Sequence, residues 1–143
     1  LTMIERKTRE YWMIRVPGRD PNGIMAALKA VRSQYSEHWD NIFKTITTDN
    51  GSEFALMSDL EAANETLVYF VHPYTSYEKG AVARHNGLIR RFIPKRKRID
   101  GYSDEQIAQV EVWYNSLPRK ALRYHIPDEL FENELDRIYS CAA

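Results

Sequence analysis

Apolar positions change their spacing along the chain, and each change predicts an element. Roughly from Leu1 to Arg6 and from Tyr11 to Val16, β-branched and aromatic residues fill two short runs parted by a charged turn, which predicts a β-hairpin. The breakers of "PGRDPNG" follow, with Asp20 placed to help start a helix. Ile24, Leu28, Val31, Tyr35 and Trp39 then recur at helical spacing up to Asp40. "IFKTITTDNG" is a β-branched strand ending in a turn, and "MSDLEAAN" is a brief helix with Ser58 as its N-cap.

"TLVYFVHPY" is almost continuously apolar, the pattern of a strand covered on both sheet faces. A helix is predicted from Gly80 to about Phe92, stopping before Pro94, with Val82, Ile89 and Phe92 on its sheet-facing side. Ala83, Asn86, Gly87 and Arg90 share the adjoining side. Ser103 and Gln106 form a capping box for a helix through Ile107, Val110, Trp113 and Tyr114. A last helix starts near Pro127 and carries Leu130, Phe131, Leu135 and Ile138. The order predicts a mixed α/β sheet with helices on both faces, in one domain spanning 1–143. Trp12, Trp39 and Trp113 each sit in an apolar periodic pattern and are expected in the core.

Composition narrows the picture. A chain of 143 residues with 43% hydrophobic positions can bury a real core, and no apolar run approaches the ~18 residues that a membrane span needs. The expected location is the cytoplasm. The single cysteine, Cys141, excludes an intrachain disulfide and a cysteine-based metal site. Leu1 lies inside an expected strand, so the chain reads as a piece of a longer protein.

Charge changes the picture further. The formal net charge is +0, from 20 basic and 20 acidic residues. Between Lys79 and Ile99, however, stand Lys79, Arg84, Arg90, Arg91, Lys95, Arg96, Lys97 and Arg98, with no acid. Removing these eight leaves 12 basic against 20 acidic residues elsewhere. Such a concentration makes a local positive field, whose usual partners are polyanions. The plainer alternative is a solvated basic helix end and loop without a ligand.

Asp49 ends a predicted strand, where open α/β sheets present ligand-binding groups, and Asn50-Gly51 lets the chain turn sharply beyond it. "DNG" alone is foremost a turn signal. Taken together, "TITTDNGSEF", "YFVHPYTSYEKG", "HNGLIRRFIPK", "DGYSDEQI" and "LPRKALRYHIPDELF" resemble, in order, the catalytic core of bacterial insertion-sequence transposases of the IS-thirty family. The resemblance runs from "MIERKTR" to about Phe131.

The resemblance implies an RNase H-like core, similar to retroviral integrases, with a triad of two aspartates and a glutamate. It implies cut-and-join DNA chemistry in DNA transposition, with Mg²⁺ or Mn²⁺ held by the three carboxylates. Two hard cations in an oxygen cage can stabilise both the attacking and the leaving oxygen of a phosphodiester. DNA, as transposon ends and target, and a second copy of the chain are the implied partners.

Mapped onto this sequence, the family's second aspartate is Asp49, the implied metal ligand. The glutamate, expected after 33 intervening residues, falls on Ala83, whose methyl group cannot bind a metal. The first aspartate belongs to a strand before "LTMIERK", so the first strand is expected to be missing. Glu53 is assigned a supporting place near Asp49, and Glu78 is a weaker substitute ligand. His72 and Tyr74 close a strand near the presumed site. Arg84, Arg90, Arg91, Lys95, Arg96, Lys97 and Arg98 are the expected DNA contacts. Arg84 stands where the family has asparagine, and its cation could take over part of the electrostatic role of the metal. The sequence thus predicts a transposase core that is catalytically incomplete as it stands. The alternatives are a non-catalytic DNA-binding or dimerisation module of the same fold, and an RNase H-like nuclease acting on RNA, which the same absences disfavour.

Overall fold

A computed structural model describes residues 1–63, 66–71 and 85–141. In chain order its elements are β1 (Thr2–Ile4), β2 (Tyr11–Met13), α1 (Pro21–Tyr35), α2 (Trp39–Ile42), β3 (Thr45–Thr48), α3 (Met57–Ala63), β4 (Leu67–Phe70), a helical segment α4 at 85–89, α5 (Asp104–Asn115) and α6 (Pro127–Cys141). The protein is mixed α/β, and the described strands form two separate two-stranded sheets. Contacts divide the chain into two units. The first holds Leu1, Arg15–Thr75 and Leu135–Ala143, and the second holds Thr2–Ile14 and Ser76–Glu134.

In the first unit, Asp20 caps α1 by accepting the Gly23 N–H at 2.8 Å, and Pro21 occupies the first turn, where no N–H is needed. Ile24, Ala27, Leu28 and Val31 form the buried stripe of α1. The helix predicted to run through Asp40 instead ends at Tyr35, because Ser36 adopts φ 46. A 3₁₀ turn at Ser36–His38 follows, and α2 resumes at Trp39. The break serves packing: Trp39 is 1% exposed, stacks on Phe43 at 4.1 Å, and donates its indole N–H to Thr66 Oγ1 at 2.9 Å.

β3 and β4 run parallel, with Thr45 opposite Leu67 and Thr48 opposite Phe70. The reading of β4 as covered on both faces is corrected. Val68 is buried, but Leu67 is 46%, Tyr69 53% and Phe70 38% exposed, so most of the strand's side chains are open. Ser58 is not a cap either, since α3 already starts at Met57 and places Ser58 within its first turn.

In the second unit, β1 and β2 form the expected antiparallel hairpin, with Met3 opposite Trp12. Its second strand stops at Met13 instead of reaching Val16. Glu5 organises the turn, accepting the N–H groups of Lys7 at 2.8 Å and Thr8 at 2.5 Å and the Thr8 hydroxyl at 2.7 Å. The Ser103–Gln106 capping box opens α5 as predicted, with both reciprocal bonds formed. Tyr11, Ile89, Ile93 and Tyr114 make the buried cluster of this unit.

Phe92, expected to be buried, is 40% exposed and meets Trp113 edge-on at 4.6 Å. Ile93, four residues after Ile89 and bonding its carbonyl at 2.9 Å, takes the buried position instead. Of the three tryptophans only Trp39 is fully buried. Trp12 is half-buried against Phe131, and Trp113 is half-buried against Phe92.

Candidate carboxylate site and basic interface

In the first unit, β3 delivers Asp49 to the end of the strand as an exposed carboxylate. Its Oδ1 accepts the Gly51 N–H at 3.2 Å, which fixes the turn by a local hydrogen bond. Asn50 turns the other way and donates Nδ2 to the Val71 carbonyl at 3.0 Å, tying the turn to the residue after β4. A 3₁₀ turn at Ser52–Phe54 then brings Glu53 back toward Gly51. A Cβ at Gly51 would lie 2.5 Å from Glu53 Oε2 and 3.1 Å from Asp49 Oδ1. Both carboxylates therefore converge on the space that a glycine leaves open.

Two hard oxygen donors at a strand end suit Mg²⁺ or Mn²⁺, which take further ligands from water and phosphate. Among the described residues no group of three or more His, Cys, Asp or Glu side chains is placed to share one ion.

In the second unit the basic segment is held from below and open above. Ile89 and Ile93 are buried four residues apart, and the Tyr11 hydroxyl donates to Asn86 Oδ1 at 2.9 Å, joining α4 to β2. Arg90, Arg91, Lys95, Arg96 and Lys97 are exposed. Arg96 sits at φ 70, where the chain bends among the lysines. Arg98 is also exposed, but its guanidinium pairs with Asp100 at 2.9 Å, so it carries less free positive charge than its neighbours. An exposed pair of this kind is worth little and opens readily to a competing anion.

His72, Tyr74, Glu78, Lys79, Val82, Ala83 and Arg84 lie outside the described residues.

One further cluster in the second unit has no signal in the sequence. Glu10 is 8% exposed, and its Oε1 accepts from Asn115 Nδ2 at 2.7 Å while Oε2 is buried with no hydrogen-bond partner among the described residues. Burial, reinforced by the carboxylates of Asp128, Glu111, Glu132 and Glu5, pushes its pKa up to about 8. Glu111, which accepts the Met13 N–H at 2.5 Å, is also raised, by burial. These are hairpin-to-helix contacts, and their partners lie about a hundred residues apart in the chain.

No family model matches the chain. It is similar to the transposase for insertion sequence element IS4351 of Bacteroides fragilis, at 36% identity over 96% of this chain and 41% of the relative. Similarity to the transposase InsI for insertion sequence element IS30A of Escherichia coli K12 is 28% over 92% of this chain and 33% of the relative. A putative integrase, ORF3 of Spiroplasma virus SpV1-R8A2 B, matches at 24% identity over 92% of this chain and 40% of the relative. The chain spans about a third to two fifths of the length of these relatives.

Proposed function

We infer that this chain, related in sequence to insertion-sequence transposases over nearly its whole length, is the DNA-binding and metal-binding core of such an enzyme. The fold proposed is RNase H-like. The observation that carries the site assignment is the convergence of Asp49 and Glu53 on Gly51 at the end of β3.

In this role Asp49 is a direct ligand of Mg²⁺ or Mn²⁺, and Glu53 supports it from the same turn. A divalent cation held there supplies charge stabilisation to the phosphodiester oxygens during strand cleavage and joining. The chain's own contribution is positional: the Gly51 N–H orients the Asp49 carboxylate, and Asn50 anchors the turn through the Val71 carbonyl. The exposed cations from Arg90 to Arg98 take the DNA phosphates. Ala83 contributes no ligand, so the chain as written binds DNA without completing strand transfer. Such a core works at the nucleoid, and a second copy is its expected partner.

The test is to restore the glutamate position in a longer chain. A chain joined to a relative's upstream segment and carrying Ala83→Glu is expected to nick supercoiled plasmid in Mg²⁺, and Asp49→Asn in that background is expected to abolish nicking. A folded, metal-binding version that leaves the plasmid intact would overturn the assignment.

A further inference from the structure

Of the stretches that carry the family resemblance, "LPRKALRYHIPDELF" has no place in the site above. Between Ser116 and Pro127 it holds Arg119, Lys120, Arg123 and His125 and no acid. A 3₁₀ turn at Lys120–Leu122 is followed by two consecutive non-glycine residues in the left-handed region, Arg123 at φ 53 and Tyr124 at φ 69. L-residues visit that region at a cost, and two in succession persist only where the surroundings enforce them.

The surroundings here are explicit. Arg119 closes the loop with its own backbone, its N–H bonding the His125 carbonyl at 3.1 Å and its carbonyl accepting the Tyr124 N–H at 2.9 Å. Its guanidinium points inward, donating to the Tyr114 carbonyl at 2.8 Å and lying 4.1 Å over the Tyr114 ring. Arg119 is therefore an anchor on a fully buried residue of α5 and not a contact for a ligand.

The result of this enforced geometry is a tyrosine held out in water. Tyr124 is 69% exposed, with Lys120, Arg123 and His125 exposed around it. A strained turn that presents an aromatic ring among cations opposes both burial and backbone preference, so packing does not account for it. The combination matches one chemistry: a base stacked on the ring with its flanking phosphates on the cations. A ring of this kind takes an unpaired base, because bases within a duplex are already stacked.

We propose that the loop from Arg119 to His125 is a second nucleic-acid contact, in which Tyr124 stacks on an unpaired nucleotide at a DNA end while Lys120 and Arg123 hold the adjoining phosphates. The inference rests on the DNA-core reading above. It separates two tasks, with the Arg90–Lys97 segment tracking the duplex backbone and the Tyr124 loop gripping an end.

The test uses the 143-residue chain and two labelled duplexes of one sequence, one blunt and one with a single-stranded overhang containing 2-aminopurine. The wild type is expected to bind the overhang about tenfold more tightly than the blunt duplex and to quench the 2-aminopurine, the gain typical of one base–aromatic stack. Tyr124→Ala is expected to lose both effects while keeping its affinity for the blunt duplex, and Tyr124→Phe to retain them. Because Tyr124 is exposed, an unchanged melting temperature should accompany either substitution. Blunt binding with no overhang preference, or a preference that survives Tyr124→Ala, overturns the loop assignment and leaves the DNA-core reading standing. Failure to bind either duplex removes both. Loss of self-association in Tyr124→Ala, with overhang binding unchanged, would assign the loop to a protein contact and likewise overturn the proposal.

Discussion

The Asn115 side chain grips β2 on both sides: its Oδ1 accepts the Tyr11 N–H at 3.0 Å, and its Nδ2 donates to the Tyr11 carbonyl at 2.9 Å and to Glu10 Oε1 at 2.7 Å. One amide on α5 thereby satisfies the outer backbone groups of a strand and also holds a buried acid. The hairpin has only two strands, which are marginal alone, so this attachment explains how it keeps its place on the helix.

The burial of Glu10 makes stability depend on pH. The folded-state pKa of Glu10 stands near 8, above its ordinary value of 4.5, so the folded chain binds the extra proton between these values. Stability is therefore undiminished by Glu10 below about pH 4.5, declines as pH rises, and levels off above about 8. One proton sets a ceiling of roughly 1.4 kcal/mol per pH unit on that decline. Glu10→Gln keeps an acceptor for Asn115 and removes the titration. Urea unfolding is expected to show a higher midpoint for Glu10→Gln than for wild type at pH 8, and a much smaller difference at pH 4.5.

The carboxylate site gives a prediction of opposite character, altered binding with little change in stability. In Gly51→Ala the new Cβ meets Glu53 Oε2, the free end of a flexible side chain, so the fold is expected to stand while Glu53 is pushed away from Asp49. Titration with Mn²⁺ should show weak binding to the wild type, several-fold weaker binding to Gly51→Ala, and none at this site in Asp49→Asn. Equal Mn²⁺ affinity in all three chains would detach both carboxylates from any metal role.

Much of this organisation is legible in the sequence where it depends on neighbouring residues. The Asp20 cap, the Ser103–Gln106 box and the Asp49-Asn50-Gly51 turn are local, and each forms as its residues predict. What fails depends on partners far away in the chain. Helical spacing carried α1 on through Tyr35 and Trp39, but Trp39 gains more from the Thr66 hydroxyl and the Phe43 ring than from a continuous helix. Phe92 fits the apolar period and yet stays 40% exposed against Trp113, while Ile93 is buried. The Asn115–Glu10 contact had no sequence signal at all, since an acid beside a strand is ordinarily solvated. Ion pairing lies between these cases: Asp100 stood two residues beyond Arg98, just past the acid-free run, and proves to be its partner.

The central claim, that the exposed cations from Arg90 to Arg98 form a DNA track, is tested most directly by the salt dependence of duplex binding measured by fluorescence anisotropy. The predicted log–log plot of affinity against salt falls with a slope of several units, about 0.9 for each phosphate contact. Replacing Arg90, Arg91, Lys95 and Lys97 with glutamine should flatten it by roughly that amount per residue. A chain that binds no duplex at low salt, or binds with a slope that these four substitutions leave unchanged, would contradict the account.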